Sequence, residues 1–223
     1  MAMGGPIVML TERNILTLAQ WFSPGFPVGA FAYSHGLEWA IETGDVYDAV
    51  STQDWIASVL QHGAGRNDCI FIGAAFRSNN HHELVEIDTI CRAYSASRER
   101  LKEARLQGSA FCAAASDIWS MELQDLTYPV AIGRAARLQD LPLQLTAQMY
   151  LHSFVGNLAA AAMRLVPLGQ THGQQMIHAL MPLAADIASE AVEADLDDLG
   201  STALLSDIAS MKHETQYSRI FRT

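Results

Sequence analysis

Hydrophobic and polar residues follow one another along most of the chain with the period of an α-helix. Apolar side chains recur three or four positions apart, as on one face of a helix. No stretch of useful length alternates residue by residue as a strand would. The pattern predicts an all-α, bundle-like fold in a single domain that spans residues 1–223. The predicted helices, about ten in number, are Thr11–Trp21, Ser34–Thr43, Ser51–Gly63, Asp68–Ser78, Glu83–Ser95, Arg98–Trp119, Val130–Leu138, Leu143–Val166, Gly173–Glu193 and Ser206–Arg219.

Two local signals refine these boundaries. The tetrapeptide STQD resembles a capping box, with Ser51 as the N-cap of its helix and Asp54 three residues later. Pro182 falls within a helical stretch, where its missing N–H should kink or split the helix. We therefore expect one helix to begin at Ser51 and another to be interrupted near Pro182.

The composition argues against several classes of protein. The 223 residues are 50% hydrophobic and 17% charged, as in a globular protein, and carry 14 basic against 24 acidic side chains. The net charge of -10 argues against nucleic-acid binding, which needs clustered Lys and Arg for phosphate contacts. Polar residues interrupt the most apolar segment, 143–166, so we expect no membrane span. The start MAMGGPIVML also lacks the basic region of a secretory signal.

The cysteine pattern bears on the compartment. The three cysteines, Cys69, Cys91 and Cys112, lie far apart in apolar contexts. An odd number at such spacing is typical of buried free thiols rather than of a disulfide scaffold. We therefore expect a protein of the reducing cytoplasm.

Motifs for catalysis are missing from the sequence. There is no Gly-Lys dipeptide for a phosphate-binding loop, and no pair of histidines with the spacing of a zinc protease. His82 and Glu86 have ligand spacing on one helix face, but such a pair is usually a surface contact. We expect no catalytic, cofactor-binding or metal site. The alternative is a helical metal-dependent enzyme that uses this pair, or Asp195, Asp197 and Asp198.

Two segments are instead rich in residues with special backbone properties. The first, SPGFPVGAFAYSHGLE at 23–38, combines two prolines and three glycines with aromatic side chains, and the second, RLVPLGQTHGQ at 164–174, separates two long helices. A rigid apolar loop of the first kind either fills a core or contacts a partner. We predict an interface here, because exposed aromatic clusters mark interaction sites. The candidates are Phe26, Pro27, Gly29, Phe31 and Tyr33.

The C-terminal tail, residues 210–223, is the other unusual segment. It follows a stretch from Asp186 to Asp207 with seven acidic and no basic residues, yet its last twelve residues carry a charge of +2 (three basic residues against one acidic). If the last helix runs to Arg219 and beyond, Tyr217, Ile220 and Phe221 share one helical face. We expect this stripe to bind a partner; packing on the chain's own core is the alternative.

Five segments, in order along the chain, resemble the urease accessory protein UreF family. They are SPGFPVGAFAYSHGLEWAIETG, ARLQGSAF, TYPVAIG, GNLAAAAMRLVPLGQTHGQQ and DIASMKHETQYSRIFRT. The resemblance implies an all-α accessory protein without enzymatic activity that forms a homodimer. It also implies two protein partners, the scaffold UreD (also called UreH) and the GTPase UreG, in an assembly that delivers nickel to apo-urease.

In this family the C-terminal segment docks on UreD/UreH, so the resemblance gives the tail a function. Removing the last seven residues should then abolish binding while the helical domain stays folded. The resulting partner-contact candidates in the tail are Tyr217, Arg219, Ile220, Phe221 and Arg222. The segments of the resemblance further contribute Asn157, Arg164 and Gln170, beside the five candidates of the N-terminal loop.

Overall fold

The computed structural model describes residues 11–223, so the start MAMGGPIVML lies outside the described residues. Residues 11–223 contain ten α-helices, two short 3-10 turns and no strand, which confirms the predicted all-α fold. The helices are α1 Glu12–Trp21, α2 Leu37–Glu42, α3 Ala49–His62, α4 Ala64–Arg77, α5 His81–Ala93, α6 Arg98–Trp119, α7 Tyr128–Leu138, α8 Leu143–Leu165, α9 Gln170–Ala191 and α10 Leu204–His213. The 3-10 turns are Ala30–Ala32 and Leu196–Asp198.

Helix α4 lies at the centre of the core. Eight of its fourteen residues are buried, and it packs against α3, α7, α8 and α9. Two glycines allow the closest approaches: a Cβ on Gly133 of α7 would overlap the carbonyl oxygen of Ile72, and one on Gly73 would overlap that of Val192. The helices therefore pack backbone against backbone at these points. Within residues 11–223, no helix combines the length and the apolar character needed to cross a bilayer.

A second, smaller hydrophobic cluster lies where α2 packs on α8. Its buried members are Leu37, Ala40, Val46, Ala161, Ala162 and Phe221. Phe221 belongs to the C-terminal tail, which therefore supplies part of the interior of the protein.

The structure corrects two local predictions: one helix does not begin at Ser51, and another is not split at Pro182. Helix α3 has Asp48 as its N-cap: the Asp48 carboxylate accepts the Ser51 N–H at 2.8 Å, and the Ser51 hydroxyl accepts the Asp48 N–H at 3.0 Å. Ser51 thus closes a capping box one turn into the helix. Helix α9 continues through Pro182, which is exposed. At that position water can replace the hydrogen bond that proline removes, so the helix is not split.

The predicted helix to Arg219 is also wrong, because α10 ends at His213. Residues 214–223 are irregular and turn back along the N-terminal part of the chain. Tyr217, Ile220 and Phe221 therefore do not share a helical face.

Candidate partner-binding surfaces

A buried carboxylate on α2 binds the C-terminal tail. Glu38 is 6% exposed, and its two oxygens accept the backbone N–H groups of Ile220 at 2.7 Å and Phe221 at 2.9 Å. Its Oε2 also lies 3.1 Å from Nε2 of His213, at the end of α10. Helix α2 can approach α10 this closely because Gly36 precedes it: a Cβ there would lie 2.7 Å from the backbone nitrogen of Ser210. One side chain thus fixes both α10 and the residues that follow it.

A second carboxylate binds the tail from α6. Glu99 Oε2 lies 2.7 Å from Nδ1 of His213, and its Oε1 accepts a hydrogen bond of 2.5 Å from Arg219. His213 is fully buried, and both of its ring nitrogens face a carboxylate oxygen. Carboxylates are strong acceptors for such donors, and these contacts connect α2, α6 and α10.

The last two residues pair with the N-terminal loop. Arg222 donates its N–H to the carbonyl of Ala32 at 2.8 Å, and Ser34 donates its N–H to the carbonyl of Thr223 at 3.0 Å. The Thr223 hydroxyl donates to Glu103 at 3.2 Å, and Thr223 is fully buried. Two of the last seven residues, Phe221 and Thr223, thus occupy interior positions, and the expectation that the domain folds without these seven residues stays a prediction.

The tail candidates divide into anchored and exposed side chains. Phe221 is 4% exposed, whereas Tyr217 is fully exposed and Ile220 is 69% exposed. Arg219 is occupied by Glu99 within the chain. Arg222 lies beside the hydroxyl of Tyr33: burial raises the pKa of this tyrosine, and the Arg222 guanidinium opposes that rise. Tyr217 and Ile220, which we call the tail surface, are exposed apolar side chains of the irregular segment that follows α10.

The N-terminal loop divides in the same way. Phe26 is buried, and its ring lies 5.6 Å from that of Phe111 between centroids. Tyr33 is also buried, while Phe31 is 64% exposed and Pro27 is exposed. Gly29, half-buried, has a φ of 72° and begins the 3-10 turn that carries Phe31 outward. The loop therefore fills the core with some aromatic residues and presents one to solvent, and its role as an interface stays a prediction.

A groove of about 440 Å³ lies between this loop and helices α6, α8 and α9. Five predicted candidates line it, brought together from distant parts of the chain: Phe26, Phe31, Tyr33, Asn157 and Arg164. Pro27, Gly29 and Gln170 are not among its lining residues; Gln170 is exposed at the start of α9. Arg164 also places its guanidinium carbon 5.9 Å from the centre of the Phe221 ring, a cation–π contact. The groove and the tail are thus connected.

The floor of the groove carries four charged or titratable residues, none of them a predicted site residue: His35, Asp68, Arg100 and Glu103. Arg100 pairs with Glu103, which also lies 3.1 Å from Nε2 of His35. Burial would raise the pKa of Glu103, but Arg100 and His35 outweigh it and lower that pKa to about 2. Burial, followed by the charge of Arg100, lowers the pKa of His35. Asp68 accepts a hydrogen bond of 2.7 Å from Tyr150, and burial raises its pKa to about 6.

A second cavity, of about 370 Å³, lies on the other side of this floor. His35, Asp68 and Arg100 line both cavities and so separate them. Within residues 11–223, no three side chains of His, Cys, Asp or Glu converge on one point where they could hold a metal ion.

The residues of the enzyme alternative are dispersed. His82 and Glu86 form a surface pair 3.7 Å apart, with side chains 83% and 64% exposed. Asp195, Asp197 and Asp198 lie at the 3-10 turn before α10, where Asp198 accepts the N–H of Asp195 at 3.0 Å. Asp198 is thus engaged in capping the turn.

Comparison with known proteins identifies relatives over nearly the whole chain. The family model UreF matches residues 46–181, more than half of the sequence. The chain is 62% identical over 213 residues to the urease accessory protein UreF of Ruegeria pomeroyi, covering 96% of this chain and 98% of that protein. It is 50% identical to the protein of the same name from Roseobacter denitrificans, over 97% of each chain. It is 40% identical to that of Rhodopseudomonas palustris, over 100% of this chain and 99% of the relative.

The buried carboxylate of Asp68 should make stability depend on pH. Its folded-state pKa of about 6 exceeds the ordinary value of 3.8, so ionisation is less favourable in the folded state. This contribution to stability is present below pH ~4 and is lost as the pH rises to about 6. Asp68→Asn keeps an acceptor for Tyr150 but cannot ionise. Its free energy of unfolding relative to that of the parent should therefore rise by about 2–3 kcal/mol between pH 4 and pH 8. Urea denaturation at both pH values measures this.

The exposed Asp54→Asn is the matched control and should show no such pH-dependent gain. An equal effect of Asp68→Asn at both pH values would contradict the assigned cost of burying this carboxylate.

Proposed function

The chain belongs to the family of the urease accessory protein UreF, and on that premise we propose that it bridges the scaffold UreD/UreH and the GTPase UreG. In this role it acts by binding, without catalytic turnover, in a cytoplasmic assembly that delivers nickel to apo-urease. The observation that carries the proposal is the presence of two connected surfaces. These are the tail surface of Tyr217 and Ile220 and the groove bordered by Phe31 and Arg164.

The tail surface is the proposed site for UreD/UreH. Tyr217 is fully exposed and Ile220 is 69% exposed, although Glu38 accepts the backbone N–H of Ile220 and Glu99 pairs with the side chain of Arg219. A segment that is already ordered loses less conformational entropy when it binds. Tyrosine is also enriched among the residues that dominate binding energy at interfaces. A rigid tail with an exposed tyrosine and isoleucine therefore favours a protein partner.

The groove is the proposed site for UreG. Its rim combines the exposed ring of Phe31 with the amide of Asn157 and the guanidinium of Arg164. A partner segment with an apolar side chain next to a carboxylate would complement these groups. Because Arg164 also contacts Phe221, an occupant of the groove would lie next to the anchored part of the tail. This connection supports simultaneous binding of both partners.

Helix α10 is the proposed face of a homodimer. Leu204, Ile208 and Met211 are 65%, 50% and 51% exposed and lie on one stripe, with Leu205 beside them at 74%. The acidic segment of the chain precedes this stripe, and Lys212 follows it. If two copies of α10 packed antiparallel, the acidic end of each stripe would approach the basic end of the other. A second copy of the chain would therefore match this face in apolar character and in charge.

Point substitutions in the tail should separate binding from folding. Tyr217→Ala should weaken binding to purified UreD/UreH by about 30-fold without changing the melting temperature, because the side chain makes no buried contact. Phe221→Ala should lower the free energy of unfolding by about 3 kcal/mol or more, because it empties an interior position. Calorimetric titration and thermal denaturation measure the two effects.

Tyr47→Ala is the control, since this tyrosine is 68% exposed outside the tail, and it should leave binding unchanged. If Tyr217→Ala bound UreD/UreH with the affinity of the parent, the assignment of the tail surface as the UreD/UreH site would be contradicted. Truncation of the last seven residues cannot separate a loss of binding from a loss of stability, because it also removes Phe221 and Thr223 from the interior.

The dimer face predicts a simple change of mass. Ile208→Asp should convert a species with the mass of two chains into one with the mass of one, because it places a charge in the apolar stripe. Leu16→Asp, on an α1 side chain that is 70% exposed, should leave the mass unchanged. Light scattering after gel filtration measures both. A parent protein with the mass of one chain, or equal dissociation by both variants, would refute the face.

A further inference from the structure

Helix α6 carries a stripe of three exposed basic residues, Arg98, Lys102 and Arg105. Their spacing of four and three residues places them on one side of the helix, and we call them the α6 stripe. Such a cluster is unusual in this chain, which has only 14 basic residues and a net charge of -10.

Two members of the α6 stripe have no ion-pair partner. Within residues 11–223, neither Lys102 nor Arg105 has a carboxylate oxygen within 4.0 Å, whereas Arg98 pairs with Glu214. Most other arginines in this part of the chain contact a carboxylate, a backbone carbonyl or an aromatic ring: Arg66, Arg77, Arg92, Arg100, Arg137 and Arg164. The positive charge of Lys102 and Arg105 is therefore available to another molecule.

The α6 stripe lies in a shallow groove that also presents apolar surface. Leu101 and Leu106 line this groove of about 310 Å³ together with the three bases, and Leu106 is 44% exposed. Basic side chains beside leucines complement a partner segment that carries both acidic and apolar side chains. Nucleic acid fits less well, because Asp125 lines the same groove and three basic side chains offer few phosphate contacts.

The α6 stripe adjoins the tail through two ion pairs at the beginning of α6. Arg98 contacts Glu214 with a nitrogen–oxygen distance of 2.7 Å, and Glu99 pairs with Arg219 at 2.5 Å. A partner that covers the tail surface would therefore lie next to the first turn of α6, where these ion pairs are made.

We propose that the α6 stripe binds an acidic segment of the same partner that binds the tail surface. The inference rests on the proposed function and specifies the chemistry of that partner: carboxylates, next to apolar side chains, opposite Lys102 and Arg105. Charges at the edge of an interface mainly accelerate association and set its salt dependence. Tyr217 and Ile220 supply the short-range contact.

Charge reversal tests the stripe against a matched control. Lys102→Glu and Arg105→Glu should each slow association with purified UreD/UreH on the order of tenfold at low salt, and by much less at high salt. Arg13→Glu changes the net charge equally, on an exposed residue of α1, and should leave the rate within about twofold of the parent. Stopped-flow association at several salt concentrations measures the rates, and circular dichroism confirms that each variant is folded.

The outcomes separate the stripe from the proposed function. If the α6 variants associate like Arg13→Glu while Tyr217→Ala still loses affinity, the stripe is refuted and the tail site stands. If the parent does not bind UreD/UreH at all, both proposals fail. If the α6 variants instead change the mass of the chain alone in light scattering, the stripe is a contact between copies and the proposal is overturned.

Discussion

The arrangement of the C-terminal tail depends on one buried carboxylate, that of Glu38. Burying an ionised carboxylate is costly unless hydrogen bonds replace the water that it loses. Within residues 11–223, the hydrogen-bond partners of this carboxylate come from the C-terminal residues: the N–H groups of Ile220 and Phe221 and the ring of His213. Helix α2 and the end of the chain therefore stabilise each other, because displacing the tail would leave Glu38 buried without these partners.

This constraint explains how an irregular segment can be both anchored and available for binding. Phe221 belongs to the cluster between α2 and α8, while the side chains of Tyr217 and Ile220 remain exposed and Glu38 accepts the backbone N–H of Ile220. Arg164 extends the same arrangement to the groove by its contact with Phe221. The proposed surfaces are thus parts of one connected structure, in which local order is established before a partner binds.

The helices could be predicted from the sequence because amphipathic periodicity is local: the bounds of α6, Arg98–Trp119, are as predicted. The tail could not, because its conformation is set by Glu38, which lies 182 residues from Ile220 along the chain. Periodicity alone extended α10 to Arg219, whereas the tertiary hydrogen bonds to residues 220 and 221 favour an irregular backbone. Five of the candidates meet in the groove, but its charged floor at His35 and Glu103 had no local signal, since 68 residues separate this pair.

Amide hydrogen exchange at Ile220 and Phe221 tests the role of Glu38 most directly. In the parent protein both amides should exchange slowly, although Ile220 has an exposed side chain, because Glu38 accepts both hydrogens. In Glu38→Ala both should exchange at least about tenfold faster, while the amide of Leu158 in the core of α8 should remain protected. Exchange of both amides at the rate of an unstructured chain in the parent protein would contradict the account.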